Sequence, residues 1–509
     1  MEVCMQCHLE TTSFPLPNAI VRYERGPFSY RPGEPLADFM LHFDEAAGSG
    51  REDKFEIAGA AYRLRHSACF VKSEGAVRCT TCHNPHDIPR GEPAAEHYTK
   101  VCRQCHAASF NTLVESGQHP PSPDCVGCHM PKRRTDDVVH VVMTDHYIQR
   151  RKPARDLLAP IAERRQTEET AYRGKVVLYY PRQPGPESEL YLAIAQVSQK
   201  SNLPEGAGQL AAAIEKYRPE RMEPYLHLAD AWNGTGQTAK ALPLYEDAVR
   251  RNPRSLVALQ RLGSGLRSSG ELRRAAEVLK RAVELAPSDA ATWHQLGLIS
   301  LEQGSQSEAI AAFQKAVQLD PDLPEAHNSL GGVWLESGDP ARAEPSFREA
   351  IRMQPDYAEA HSNLGNALSG AGRFEEARYH FEAALRLKPN YTEARYNYGV
   401  ALARTKRFDE AQRQIERLLR TDPAAAEAHD LLGSLLAAKG NVKAALEQYR
   451  EAVRIQPEFS RAHLDLGSLL ADAGEVPAAL PHLQKAAESN QPAVREEATQ
   501  ILRQLGKSR

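Results

Sequence analysis

The chain has 509 residues, a formal net charge of −3 and 25% charged residues. Single hydrophobic cores stop growing at about 250 to 300 residues, so this length predicts two or more domains. The nearly balanced charge does not favour nucleic acid or an anionic membrane as a partner, and no apolar run reaches the length of a membrane span. All nine cysteines lie within the first 128 residues, which indicates two modules of different chemistry.

Eight of the nine cysteines form four Cys-x-x-Cys-His motifs. Residues i and i+3 of a helical turn project the same way, so both thiols can add to the two vinyl groups on one edge of a porphyrin. The histidine that follows then reaches the iron as its proximal ligand. The pattern predicts four covalently bound haem c groups: one at Cys4, Cys7 and His8, one at Cys79, Cys82 and His83, one at Cys102, Cys105 and His106, and one at Cys125, Cys128 and His129.

Two other kinds of cysteine chemistry compete with this interpretation. Paired Cys-x-x-Cys units also build Cys₄ zinc sites, and closely spaced cysteines also build disulfide frameworks. Neither alternative explains why a histidine directly follows the second cysteine in every one of the four motifs. The ninth cysteine, Cys69, is a small buried side chain, a thiol beside a haem, or the partner of a cysteine expected upstream of Met1.

Each haem iron also needs a sixth ligand or keeps an open site. His86 is the strongest candidate ligand, because Pro85 limits the backbone and stops the imidazole from folding back onto the iron of His83. It is therefore expected to ligate a neighbouring haem. The further candidates are His66, His119, His140 and His146, with His42 and His97 as weaker ones.

Local sequence supports these further candidates. His140 and His146 lie in an apolar, β-branched run that favours a strand packed against a porphyrin. His119 lies six residues before Cys125, and His66 lies three residues before Cys69. Apart from short helices, little regular secondary structure is predicted in this haem module.

Three stretches resemble the cytochrome c-554 family of multihaem cytochromes: Cys79-Thr-Thr-Cys-His-Asn-Pro-His86, Asp124-Cys-Val-Gly-Cys-His-Met-Pro131 and Thr144-Asp-His146. The resemblance covers roughly residues 1 to 150. It implies closely stacked, mostly bis-histidine haems that carry single electrons outside the cytoplasm. In related proteins fused to helical repeats, the stretch Val3 to Leu9 looks internal and is preceded by other haem motifs.

No secretory signal peptide follows Met1, although haem attachment to this motif takes place outside the cytoplasmic membrane. We therefore expect a periplasmic or otherwise extracytoplasmic protein whose sequence is truncated at its N-terminus. Residues 153–187 are punctuated by prolines and predict a linker, with one strand-like run at Val176 to Tyr180.

From residue 188 onward the chain repeats with a fixed period. A 34-residue interval between successive prolines is typical of tetratricopeptide (TPR) repeats. Eight good repeats, 222–255 through 460–493, follow a degenerate one at 188–221, and 494–507 predicts a capping helix. The prolines are Pro219, Pro253, Pro287, Pro321, Pro355, Pro389, Pro423 and Pro457.

Within one repeat, Gly297 and Ala309 are expected to let two helices approach, while Trp293 and Phe313 fill the space between them. Histidines recur at the position of Trp293, and we interpret them as internal packing rather than a metal or haem ladder. Asparagines on first helices either line a concave groove for an extended peptide or form a solvated face. The histidines are His327, His361, His429 and His463; the asparagines are Asn328, Asn363, Asn366 and Asn397.

The sequence as a whole predicts a mainly α protein: an irregular multihaem cytochrome c domain at 1–152, a linker at 153–187 and an all-α TPR solenoid at 188–509. The first functional hypothesis is electron transfer with redox partner proteins, with a peptide or protein docked in the solenoid groove. The second is a haem enzyme that reduces or oxidises a small nitrogen or sulfur compound at an open axial site. The third is a scaffold with vestigial haem sites.

Overall fold

The computed structural model describes residues 19–25, 29–31, 34–46, 63–64, 67–74, 76–77, 79–82, 92–122, 124–134, 142–149, 156–160, 174–180, 187–198 and 203–507. The described part is mostly helical, as the sequence predicts. The chain divides into two compact units, Met1–Glu271 and Leu272–Arg509. The domain boundaries at 152 and 187, which rest on chemistry and composition, stay predictions.

The described residues of the first unit form two small antiparallel sheets. Strand β1 (Ala19–Val21) pairs with β2 (Met40–Glu45), and β2 pairs with β5 (Val176–Tyr180). A 3-10 turn at Leu36–Asp38 leads into β2. The second sheet joins β3 (Lys132–Arg134) to β4 (Val142–Thr144). The strand-like run at the end of the predicted linker is therefore a real strand, and it completes a sheet that begins near residue 19.

Four helices carry the described haem motifs and Cys69: α1 (Ala68–Lys72), α2 (Cys79–Cys82), α3 (Glu92–Glu115) and α4 (Cys125–His129). The 24-residue α3 is far longer than the short helices expected here. It contains no glycine, and its one proline, Pro93, lies in the first turn, where a helix tolerates proline. Gly117 lies just after the end of α3 and has a φ of +70°, a left-handed conformation that terminates the helix. The Gln118 amide donates a hydrogen bond back to the Leu113 carbonyl.

Helix pairs follow from Ser188 to Lys507 in the described residues. They confirm the predicted solenoid, including the degenerate repeat at 188–221. The bounds are α5 Ser188–Ser198, α6 Leu203–Tyr217, α7 Glu223–Gly234, α8 Thr238–Arg251, α9 Leu256–Ser268, α10 Leu272–Leu285, α11 Ala290–Glu302, α12 Gln306–Leu319, α13 Pro324–Glu336, α14 Pro340–Met353, α15 Ala358–Gly370, α16 Phe374–Leu387, α17 Thr392–Arg404, α18 Phe408–Thr421, α19 Ala426–Ala438, α20 Val442–Ile455, α21 Ser460–Asp472, α22 Val476–Ala487 and α23 Pro492–Lys507.

Glycines on first helices let the two helices of a repeat approach closely. A Cβ on Gly297 would lie 2.5 Å from Phe313, and one on Gly331 would lie 2.7 Å from Phe347. Both phenylalanines are fully buried. The expected role of Gly297 and Phe313 is confirmed, since a side chain at the glycine would displace the aromatic ring that fills the repeat.

The first solenoid helix, α5, packs against the three-stranded sheet. Phe43 of β2 and Val176 of β5 lie in one apolar cluster with Tyr191 of α5. The Tyr191 hydroxyl accepts a hydrogen bond from the Tyr23 amide at 2.9 Å, and the Gln196 side chain accepts one from the Val176 amide at 2.8 Å. The start of the solenoid and the sheet are thus joined by a shared core as well as by polar contacts.

Candidate functional site

Three of the four predicted haem motifs have cysteine pairs among the described residues. Each pair lies on a single helical turn, so both sulfurs of a pair project from one side of the helix, as a porphyrin edge requires. The pairs are Cys79 and Cys82 on α2, Cys102 and Cys105 on α3, and Cys125 and Cys128 on α4.

The first motif lies wholly outside the described residues. Cys4, Cys7 and His8 therefore have no structural counterpart here, and the haem site predicted at them stays a prediction. The same holds for the proximal histidine His83. By contrast, Cys128 is described: it is a half-buried free thiol near the end of α4, directly before its proximal histidine.

The described thiols of different haem motifs lie close to one another and to Cys69. Burial raises the pKa of Cys102 to about 11, and the nearby thiols of Cys125, Cys82 and Cys69 add to the rise. Burial likewise raises the pKa of Cys69, with Cys105 as its second cause. Thiols from α1, α2, α3 and α4 are therefore gathered closely enough to influence one another.

The described cysteines can be compared with the disulfide and zinc alternatives. No disulfide joins any two of the described cysteines. Within the same residues, no group of three or more histidine, cysteine or acidic side chains is arranged to hold a metal ion.

The ring of His129 is fixed by a reciprocal pair of hydrogen bonds. Its Nδ1 donates to the Gln149 carbonyl at 2.7 Å, and the Gln149 amide donates to the His129 carbonyl at 2.9 Å. A carbonyl oxygen only accepts, so the proton must reside on Nδ1 and the Nε2 lone pair is left for a metal. This is the arrangement that metal-binding histidines usually show.

Two predicted distal histidines also donate from Nδ1 to a backbone carbonyl. The Nδ1 of His119 donates to the Pro120 carbonyl at 2.7 Å, and the Nδ1 of His146 donates to the Thr144 carbonyl at 3.1 Å. The ring centroids of His119 and His129 lie 5.8 Å apart, with an interplanar angle of 28°. The structure therefore brings a predicted distal ligand beside a predicted proximal one, each with Nε2 left for iron.

The other candidate histidines divide into three groups. His97 uses the opposite nitrogen, because its Nε2 lies 3.3 Å from the Cys82 carbonyl and is occupied as a donor. His42 is buried within β2, opposite Ala19. His106 lies on the exposed side of α3. The remaining three, His66, His86 and His140, lie outside the described residues and stay predictions.

A buried ion pair supports the turn that carries His146, and sequence reasoning missed it. Arg63 donates to both carboxylate oxygens of Asp145, Nε to Oδ1 at 3.0 Å and Nη2 to Oδ2 at 2.6 Å. The two side chains are 3% and 0% exposed. The Asp145 amide also donates to the Pro131 carbonyl, while Oδ1 accepts from the Tyr147 amide. The one signal in the sequence was an acidic residue between Thr144 and His146.

Family models match both modules. Residues 71–110, which hold the motifs at Cys79 and Cys102, match the model described as "Doubled CXXCH motif". Residues 185–398 match "Cilia and flagella-associated protein 70 C-terminal domain", 368–435 match "Tetratricopeptide repeat" and 433–474 match "TPR repeat". No curated protein sequence matches the chain.

Solved structures resemble the chain over part of its length. The structure titled "YrrB: a TPR protein with an unusual peptide-binding site" is 28% identical, covers 37% of this chain and 96% of its own, and has a TM-score of 0.31. MamA from Desulfovibrio magneticus is 26% identical over 32% of this chain and 92% of its own, with a TM-score of 0.29. A tetratricopeptide repeat protein from Parabacteroides merdae is 16% identical, covers 49% of this chain and 98% of its own, and has a TM-score of 0.41.

Fold, motifs and family models together define the class of this protein. It joins a module with paired CXXCH motifs, which point to c-type haem binding, to a TPR solenoid, which implies interaction with a protein or peptide. Among the described residues, no helix is long and apolar enough to cross a membrane.

Proposed function

We propose that the protein is a multihaem c-type cytochrome of an extracytoplasmic redox chain, with its solenoid as a docking domain. The observation that carries the proposal is the shared ring orientation of the neighbouring histidines His119 and His129. Both donate from Nδ1 to a backbone carbonyl and leave Nε2 for iron. The Nδ1 of His146 also donates to a backbone carbonyl. Haem iron, once held, supplies one-electron exchange between oxidised and reduced states.

The chain's own residues have three tasks in this function. The cysteine pairs of the four motifs hold the porphyrin edges through thioether bonds, and the motif histidines bind iron from one side. Backbone carbonyls at Pro120, Thr144 and Gln149 fix the ring orientations and raise the basicity of the ligating nitrogens. The Arg63–Asp145 pair holds the turn at His146 in place.

Within this proposal, His119 is the described histidine best placed to share a haem site with His129, since the two rings are near neighbours. His146 lies two residues after the end of β4, so its position depends on the pairing of β4 with β3. The distal roles of His66, His86 and His140 remain part of the proposal on sequence grounds alone.

The solenoid is proposed to dock a redox partner or another peptide on its first helices. A ladder of polar side chains runs between neighbouring repeats there: the Asn363 amide donates to the Asn328 carbonyl oxygen at 3.0 Å, and Asn328 donates to the Tyr357 hydroxyl at 3.5 Å. Such amides keep further donors and acceptors that an extended peptide backbone can use.

The resemblance to the cytochrome c-554 family and the site of haem attachment support an extracytoplasmic location. Fractionation of the native cells tests it: haem-stained protein should appear with periplasmic or other extracytoplasmic markers. Haem-free protein confined to the cytoplasm would contradict this part of the proposal.

Electron transfer and small-molecule chemistry predict different spectra. If every iron has two axial histidines, the reduced protein is entirely low-spin and its spectrum does not change on adding carbon monoxide. A high-spin component that binds carbon monoxide would instead favour an enzyme acting on a small nitrogen or sulfur compound. Optical spectra of the reduced holoprotein, with and without carbon monoxide, therefore decide between the two functions.

A further inference from the structure

Two pairs of histidines face each other inside solenoid repeats. His361 of α15 and His380 of α16 meet with their Nδ1 atoms 3.0 Å apart. His463 of α21 and His482 of α22 meet with their Nδ1 atoms 2.9 Å apart. The ring centroids lie 5.2 and 5.1 Å apart, and both interplanar angles are 34°. The second pair occupies the same repeat positions as the first pair, and it lies three repeats further along the chain.

The proton positions in these pairs follow from the backbone. The Nε2 of His361 lies 3.2 Å from the Pro355 carbonyl, and the Nε2 of His463 lies 3.0 Å from the Pro457 carbonyl. Each of these histidines therefore carries its proton on Nε2 and presents a bare Nδ1 lone pair to its partner. The partner donates its own Nδ1 proton across the short contact.

Burial disfavours the charged form of His361, His380 and His482, and neutral imidazole is the form that binds metals. Burial lowers the pKa of His380 to about 4, with the neighbouring His361 and Arg348 as further causes. Burial also lowers the pKa of His361 and of His482.

The spacing of the two nitrogens is close to that of a chelate. Zinc binds imidazole nitrogen at about 2.0 to 2.1 Å, so two nitrogens on a tetrahedral ion are about 3.4 Å apart. The observed contacts of 3.0 and 2.9 Å need to open by only about 0.4 to 0.5 Å to reach that value. Small rotations about the side-chain torsions supply this, and each partner histidine moves its proton to Nε2 by exchange with water.

We propose that each pair, His361 with His380 and His463 with His482, binds one divalent transition-metal ion such as Zn²⁺, Cu²⁺ or Ni²⁺. Imidazole suits these ions, and water completes the coordination, since no three-ligand group exists among the described residues. A site with two protein ligands is exchangeable rather than permanent. Bound metal clamps the two helices of a repeat together and stabilises the folded solenoid.

The charged side chains near each histidine pair predict which pair binds a metal cation more tightly. At the first pair, the carboxylates of Glu376 and Glu344 and the cation Arg348 lie near His380, and the cation Arg386 lies near His361. At the second pair, the cation Arg450 lies near His482. A metal cation is repelled more at the second pair, so the pair of His361 and His380 binds more tightly.

The chain supplies its own matched control. In the repeat that begins near Pro423, His429 occupies the same position as His361 and bonds the Pro423 carbonyl through Nε2 at 3.2 Å. Its Nδ1 faces the carboxamide of Gln448 at 2.8 Å instead of a second imidazole. His380→Gln and His482→Gln therefore reproduce a pairing that the fold already accepts.

The experiment measures zinc per chain in the full-length holoprotein by equilibrium dialysis against ZnCl₂ and elemental analysis, with haem iron counted separately. His380→Gln and His482→Gln should each remove one zinc ion, and the double variant should remove two. His429→Gln should change nothing, whereas Gln448→His should add one ion. A zinc count that is the same in the parent and in the double variant overturns the proposal.

Thermal unfolding of the solenoid gives a second readout that does not depend on counting ions. ZnCl₂ should raise the midpoint of the helical unfolding transition in the parent protein and leave it unchanged in the double variant. An equal rise in both proteins would place the stabilising zinc elsewhere and contradict the proposal.

Discussion

Arg63 and Asp145 form a two-pronged ion pair in a part of the first unit where neither side chain has appreciable contact with solvent. They are 82 positions apart in the sequence. The Arg63 guanidinium also lies over the Tyr147 ring, 4.9 Å from its centroid, and Arg133 approaches Asp145 at 4.0 Å. The pair therefore joins the chain before the second haem motif to the turn that presents His146.

Asp145→Ala should destabilise the haem module by about 3 to 5 kcal/mol, because the buried Arg63 charge would lose its partner. Denaturant unfolding monitored by haem absorbance measures this. Asp124→Ala serves as the control, since it removes only the helix cap on the Gly127 amide and should cost about 1 kcal/mol. Equal losses in the two variants would show that the ion pair does not support the fold.

Adjacent glycines test the packing of a repeat. Gly331→Ala should destabilise the solenoid by about 1 to 3 kcal/mol, because its new methyl group would lie 2.7 Å from Phe347. Gly332→Ala should stabilise it by about 0.5 to 1 kcal/mol, since a Cβ there meets nothing within 4 Å and alanine favours helix. Urea midpoints by far-UV circular dichroism compare the two, and a loss of stability at Gly332 would refute this packing.

Asp430 should make solenoid stability depend on pH. Burial, followed by the nearby Asp465, raises the pKa of Asp430 to about 7 in the folded state, whereas an unfolded aspartate has a pKa of about 3.9. Between these values the folded state binds a proton that the unfolded state does not. Stability should therefore fall as pH rises from about 4 to about 7, by about 2 to 4 kcal/mol from this residue.

Asp430→Asn removes the titrating group while keeping the size of the side chain. The variant should match the parent near pH 4 and exceed its stability by about 2 to 4 kcal/mol near pH 8. Asp356→Asn, at an exposed carboxylate in the same unit, should leave the pH dependence as it is. Parallel stability curves for the parent and Asp430→Asn across this range would contradict the buried-carboxylate account.

The repeat architecture could be predicted because its physics is local. A proline every 34 residues and a glycine opposite each aromatic ring, such as Gly331 opposite Phe347, specify a helix pair that contacts mainly its neighbours. The cysteine and histidine spacing of the haem motifs is local in the same sense. The pairing of strands β2 and β5, for example of Asp44 with Val177, joins residues far apart in the sequence. No periodic sequence pattern predicts it.

Side-chain partners were the least predictable part of the site. The sequence offered His119 and His97 as candidates of different rank without saying which ring nitrogen either would use. That choice depends on whether a backbone carbonyl lies beside Nδ1, as Pro120 does for His119, or beside Nε2, as Cys82 does for His97. Likewise, the contact between His361 and His380 could not be predicted from the repeat position of His361 alone, because His380 lies on the other helix of the repeat.

His119 and His97 form a matched test of axial ligation. His119→Ala should leave every haem attached, turn one haem from low to high spin and open it to carbon monoxide. His97→Ala should leave the spectrum unchanged, because its Nε2 is engaged by the Cys82 carbonyl. Optical spectra of the reduced variants with carbon monoxide measure both. A carbon monoxide response in His97→Ala, and none in His119→Ala, would reverse the assignment.

Covalent haem at all four Cys-x-x-Cys-His motifs is the central claim, and intact mass measured on the denatured protein tests it most directly. The protein, produced in a host competent for c-type maturation, should carry four added haem masses of about 0.6 kDa each and keep its colour after acid–acetone extraction. A chain of unmodified mass that loses its colour on extraction would contradict the account.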